Sequence, residues 1–331
     1  MVSSKIKDIF ADIPRINKGM RKIIILILAI LMMPIFSQAQ KWKRQRVEYS
    51  FGIGATNFLG DLGGRNQQGT DGFMDFEIKA TRYAAGFGYR YQIAKDWFIK
   101  GNLYYVMVSG NDNLTEEPAR ANRQLNFRSN IVELSAQAEY MIIKQKSGHL
   151  YRLRGVRGKS WFKFEVYALA GMGGIWFDPR GDNGSGHVRL APLNTEGQGL
   201  PGGPSDYKGF TVVVPYGLGI RRALGGGARS RHFGSWTIAM ELTMRKTFSD
   251  YIDDVSDVYY GTGNGSESTG VIGAGYDEEA AFFSDPSGKY VNGGYGEPQQ
   301  RGDKTDNDAY MMGIISINYK PARRRRNLPK F

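Results

Sequence analysis

The sequence predicts an all-β protein: an eight-stranded antiparallel transmembrane β-barrel with long outer loops and a plugged lumen. Three observations predict it. Segments along the chain switch between apolar and small or polar residues with a period of two, and in a strand successive side chains point to opposite faces. Trp97, Trp161 and Trp236 stand at the starts of alternate segments, and Trp42 stands just before the first. The links between segments alternate in length.

The eight segments span roughly 47–60, 76–93, 96–109, 127–143, 161–177, 209–222, 235–249 and 308–320. Each has at least the ~9–11 residues that a tilted strand needs to cross a bilayer. The first alternates from Val47 to Thr56. The fourth sets Val132, Leu134, Ala136, Ala138 and Tyr140 against Glu133, Ser135, Gln137 and Glu139. The fifth sets Phe162, Phe164, Val166 and Ala168 against Lys163, Glu165 and Tyr167. The seventh, Trp236 to Met244, is the cleanest, and the last opposes Gly313, Ile315, Ile317 and Tyr319 to Ser316, Asn318 and Lys320.

A soluble sandwich would alternate too. The tryptophans favour a barrel, because aromatic girdles line membrane interfaces. The link lengths favour it as well: those after segments two and six are shorter than those after five and seven, and short turns at one end with long loops at the other are the barrel norm. The link after segment four is longer than that norm. Eight strands leave an interior just wide enough for side chains to fill. Inward-facing Lys100, Glu133, Glu139, Lys163, Glu165, Glu241 and Arg245 are therefore expected to pair across the lumen, since buried charges need partners.

The 331 residues include 44 Gly, 13% aromatics and no Cys. The one long apolar run, Ile23 to Phe36, is too short for a spanning helix. It reads as a secretory signal: Arg21 and Lys22 precede it, and Ser37-Gln38-Ala39 is a small-x-small cleavage site. Residues 1–39 are read as an upstream extension plus a cleaved signal peptide, with Met20 as the start and cleavage after Ala39. Residues 40–320 form the barrel and 321–331 a basic tail. The absence of Cys excludes disulfides and thiolate metal sites. Export plus a barrel places the chain in an outer membrane, with both termini periplasmic.

The formal charge is +12, of which residues 1–39 hold +4, leaving about +8 on the mature chain. The excess is segregated. The expected periplasmic segments carry Lys144, Lys146, Arg152, Arg154, Arg157 and Lys159, then Arg221, Arg222, Arg229 and Arg231, and finally Arg323, Arg324, Arg325 and Arg326. The long loop from Ser249 to Asn307 is acidic. Opposite potentials on two faces steer association. A basic face suits an acidic periplasmic protein, anionic headgroups or a solvated rim, and nucleic acid is not expected in that compartment.

Catalysis finds little support. His149 and His232 fall in expected turns and His187 in an outer loop, and none is read as lying on a strand. Asp253 and Asp254 with His187 imitate an outer-rim protease only if they meet, and paired carboxylates in an acidic loop are usually solvated. Asp250, Asp253, Asp254 and Asp257 offer the oxygens that Ca²⁺ takes, without the spacing of a helix–loop–helix calcium site. No enzyme activity, cofactor or metal is expected. Arg301-Gly302-Asp303 is read as a chance tripeptide.

Two strings carry a resemblance. N-F-L-G-D-L runs from Asn57 through Gly60 and Asp61, and T-F-S-D-Y-I-D-D-V contains Asp250, Tyr251, Asp253 and Asp254. Both resemble the PorG-like outer-membrane β-barrel family of Bacteroidetes, a component of the type IX secretion system, and the final strand resembles that family's last strand. The likeness spans about 47–320. It implies a non-enzymatic barrel associated with a periplasmic secretion ring made by a lipoprotein and its partner. Placing the docking face on the basic clusters comes from their charge. The other readings are a surface adhesion or receptor barrel and, further off, a barrel enzyme or narrow pore. Both strings lie at the outer ends of strands that flank the last one, so they are expected to approach one another.

Overall fold

The computed structural model describes residues 46–62, 78–114, 118–144, 164–200, 203–224, 234–260, 277–290 and 299–321. Among the described residues nine strands form: β1 (Val47–Leu59), β2 (Arg82–Gln92), β3 (Trp97–Asn111), β4 (Asn126–Ile143), β5 (Glu165–Asp182), β6 (His187–Arg189), β7 (Phe210–Ala223), β8 (Ser235–Thr247) and β9 (Ala309–Lys320). All pairings are antiparallel. The wall runs β1-β2-β3-β4-β5-β7-β8-β9, and β9 pairs with β1, so eight strands close on themselves. β6 is a short arm paired with β5 beyond the wall. Two short helices, α1 (Pro118–Arg123) and α2 (Glu278–Ser284), sit in the links.

The expected strands thus form in the expected order, with shifted ends. Strand β2 begins at Arg82 rather than 76, because β1 reaches only as far as the Thr56–Arg82 pair and Thr81 closes a turn on Ile78. Strand β5 runs to Asp182 rather than 177, held by β4 on one side and β6 on the other. The β6 arm and the two helices are additions to the sequence reading, and His187 lies on a strand after all.

Period-two alternation sorts the wall. Phe51, Leu103, Leu134, Met172, Leu218 and Ile315 point outward and are exposed. Such a continuous apolar surface far exceeds what a water-soluble monomer shows; against lipid it is the stable arrangement. Aromatic pairs edge the belt: Trp97–Tyr140 (4.9 Å) and Trp236–Tyr319 (4.7 Å) at the end carrying the β2–β3 turn, and Trp176–Phe210 (5.2 Å) at the end carrying the long loops. We call these the turn end and the loop end. Trp42 and Trp161 lie outside the described residues.

Inside, charges pair. Arg90 donates to Glu139 (2.5 Å) and Glu48 (3.1 Å), Lys100 to Glu241 (2.7 Å), and Arg245 to Glu133 (2.6 Å). Tyr167 and Tyr310 donate their hydroxyls to Glu241 and Glu133, at 2.8 and 3.0 Å. The expected lumen charges meet as anticipated, apart from Lys163, which is outside the described residues. Glycine makes room for the rings: a Cβ on Gly86 would stand 2.1 Å from Tyr104, and one on Gly219 2.2 Å from Tyr167. The lumen is filled, as an eight-stranded interior allows.

One place in the wall is looser. The β5–β7 ladder pairs Ala170 with Tyr216, then resumes at Gly173 with Val213. Pro215 lies in this gap and brings no N–H to the ladder.

Candidate functional site

The loop end is closed by a polar cap. The N-F-L-G-D-L segment leaves β1 and the S-D-Y-I-D-D-V segment leaves β8, and the two meet: the Leu62 N–H donates to Asp253 Oδ2 at 3.2 Å. The other oxygen of Asp253 accepts the Val255 N–H at 3.0 Å. Asp308, just before β9, accepts the Ile252 N–H at 2.8 Å. Asp254 sits at φ 65°, a left-handed conformation that Asp tolerates better than most residues. There it accepts hydroxyls from Thr195 and Tyr207, both at 2.5 Å.

Arg301 ties these pieces together. Fully buried, it donates to Glu196 (2.8 Å), to the Asp254 carbonyl (2.6 Å) and to the carbonyls of Phe283 and Ser284 on α2 (3.3 Å each). Arg123 at the end of α1 continues the chain, bonding the carbonyls of Asp61 (2.8 Å) and Arg301, and the carboxylate of Asp112. Asp61 Oδ2 accepts the Asp303 N–H at 2.8 Å. Gly302 is needed there, because a Cβ would stand 2.4 Å from that same oxygen.

Burial dominates the cap's electrostatics. It pushes Asp61 and Asp254 up to about 6 and Asp250 up to about 8. Asp253 and Asp308 are raised well above the usual carboxylate range, first by burial and then by neighbouring acids, including Asp61 and Asp250. Exposed Asp303 is lowered instead, by hydrogen bonds from Thr305. A void of about 10 Å³ between Leu62, Leu125, Phe283 and Arg301 leaves room for roughly one water.

The 250–254 stretch of the acidic loop is thus not solvated: Asp250, Asp253 and Asp254 are buried, because Arg301 and backbone donors give the segment a polar interior. Among the described residues no three acidic or histidine side chains converge on a metal position. Asp257 points away to Lys304 at 3.0 Å. His187 is exposed on β6 while Asp253 and Asp254 are fully buried, so the three do not form an exposed catalytic rim. Tyr251 stacks on Tyr207 at 4.6 Å, Asn57 is buried, and Gly60 packs against Phe58 and Asp308.

At the turn end the docking residues divide. Lys144 pairs with Asp96 and is partly exposed. Arg222 is exposed, its guanidinium 5.4 Å from the Phe164 ring. Arg221 differs from expectation: it lies on β7 with inward parity and pairs with Glu48 (2.9 Å) and Glu165 (3.2 Å). It belongs to the lumen network, since those glutamates need a cation. Lys146, Arg152, Arg154, Arg157, Lys159, Arg229, Arg231 and Arg323–Arg326 lie outside the described residues, as do residues 1–45 with the signal segment and the tail beyond 321.

Sequence reading set Tyr167 on the inward face without giving it a partner, and missed Glu48, Arg90 and Tyr310 as lumen partners, although strand parity marks each as inward. It missed Arg301, Glu196 and Arg123 for want of any local pattern.

A closed β-barrel with a lipid-facing belt, an ion-paired lumen and a capped mouth defines the class: a small integral membrane barrel. No family model matches the chain, and no curated protein matches it. Solved structures similar to it include the N-terminal β-barrel domain of Pseudomonas aeruginosa OprF, with 8% identity over 83% of this chain and 97% of that one (TM-score 0.31). Neisserial surface protein A is similar at 8% over 83% and 96% (TM-score 0.34). Ail, the attachment invasion locus protein of Yersinia pestis, is similar at 10% over 83% and 98% (TM-score 0.31). At these identities they say nothing of what this chain does.

Proposed function

We propose that this chain is a non-enzymatic outer-membrane barrel that anchors or organises a protein secretion apparatus, of the type IX kind, through a basic periplasmic face at its turn end. The observation that carries the reading is the sealed interior. With the lumen filled by ion pairs and the mouth closed by the cap, function falls to the rims. The turn end carries the densest positive charge in the sequence, whose acidic segments lie at the other end. Such a face attracts acidic partners. The resemblance of the cap strings to PorG-like barrels points to ring proteins as those partners, a lipoprotein and its companion.

The test replaces Lys144, Lys146, Arg152, Arg154, Arg157, Lys159, Arg222, Arg229 and Arg231 with Gln and, separately, removes Arg323–Arg326. Recovery of ring proteins with the tagged barrel is then measured. Reduced recovery at unchanged barrel level supports the reading. Unchanged recovery, with function lost instead when the 249–307 loop is trimmed, would favour a surface receptor.

A further inference from the structure

We propose that the outer wall near the loop end carries a binding site for the phosphate of a membrane-lipid headgroup, built by Arg128, Arg180 and Arg189. The register sets these three side by side across β4, β5 and β6: Arg128 opposes Arg180, and Arg180 opposes Arg189. Directly opposed residues share a face, and this is the outward one, since Arg180 has the parity of lipid-facing Trp176. The row lies four residues beyond Trp176, about 13 Å along the strand at ~3.3 Å per residue. In a strand tilted by ~45° that is about 9 Å above the aromatic edge of the belt, within the headgroup layer.

The charge arrangement fits a phosphate. Asp178 accepts from Arg180 (2.8 Å) and from the Nε of Arg189 (2.7 Å), which fixes both guanidinium groups and leaves further N–H donors free. Arg128 and exposed Lys208, just before β7, have no carboxylate partner among the described residues. Three arginines in one row, set against Asp178 and, two residues further along β5, Asp182, leave a net positive charge that an anionic group would neutralise, and arginine forks match phosphate oxygens in pairs. Lipid supplies the anion at the concentration of the membrane itself, and each basic residue near such a surface adds to attraction.

The inference rests on the lipid-facing wall and not on the secretion role, so unchanged ring recovery leaves it standing. The test uses the full chain in detergent and native mass spectrometry, with bisphosphorylated lipid A as the probe and its dephosphorylated form as comparison. The triple variant R128Q/R180Q/R189Q is expected to lose retention of the phosphorylated lipid by about tenfold or more. The variant K95Q, in the turn between β2 and β3, is expected to retain it. Heat-dependent gel mobility reports that each barrel is folded. Equal retention by the triple variant, equal retention of the dephosphorylated lipid, or displacement by an equal concentration of inorganic phosphate would overturn the proposal.

Discussion

The backbone N–H of Leu62 and the carboxyl group of Asp253 are hydrogen-bonded at 3.2 Å across 191 positions of sequence. Two loops from opposite ends of the chain thus share one buried contact over the barrel mouth. Neither can leave without exposing a polar group that the other satisfies, so the cap behaves as a unit.

Arg301 holds that unit together. Arg301→Leu leaves Glu196 buried without its cation, a loss of about 3–5 kcal/mol in local stability. The wall does not depend on that pair. Limited proteolysis should therefore cut the 249–307 loop in the variant while heat-dependent mobility still reports a folded barrel. An uncut loop would show that the cap stands without Arg301.

The cap should loosen as pH rises. Asp61 and Asp254 move from 3.8 up to about 6 in the folded cap, and Asp250 to about 8. A folded value above the unfolded one means that the folded state holds more protons between the two. Their contribution is full below 3.8 and is lost as pH climbs through 6 and then 8. Hydrogen-exchange protection factors in 249–257, with the base-catalysed rise of the intrinsic rate divided out, should be larger at pH 5 than at pH 9, and Asp250→Asn should flatten the upper part of that change. Greater protection at pH 9 would contradict this account.

In the lumen, Lys100 and Glu241 form a pair at 2.7 Å with both side chains buried. Lys100→Met alone strands Glu241 and should cost about 3–5 kcal/mol, whereas the double replacement by Met should recover most of it. Urea unfolding from lipid vesicles would measure both. Equal losses in the single and double variants would mean that the pair is not what the lumen depends on.

The exterior gives a positional test. Leu134 is exposed in mid-strand on the lipid face, and Ser135 beside it points inward. Leu134→Arg should destabilise insertion by about 2–4 kcal/mol, as a charge at the bilayer midplane does. The same change at Ile78, exposed in the loop-end link, should cost little. Similar costs at both would argue against a lipid-facing wall.

The wall was legible because a strand's chemistry is local. Val132 to Tyr140 alternates on the page as it does in space, and parity alone assigns Glu133 and Glu139 to the lumen. The same parity marks Glu48 and Arg90 inward, and Arg221 as a lumen residue rather than a docking one. The cap was only half legible. Its strings flagged Asp61 and Asp253, and neighbouring strands implied their approach. Their burial was hidden, because it depends on Arg301 and Arg123, which reach Asp254 and Asp61 from 47 and 62 residues away. Nothing around Arg301 distinguishes it from a solvated loop arginine.

Asp308 immediately precedes the strand that closes the barrel, and it is also the residue that receives Ile252 and, through its carbonyl, the hydroxyl of Thr247. The lid is therefore finished by the same event that zips β9 onto β1. A barrel still waiting for its last strand would have an open mouth and an unprotected 249–257 segment. Completion of assembly is thereby written at the loop end, where an intact lid reports that the cylinder beneath it has shut.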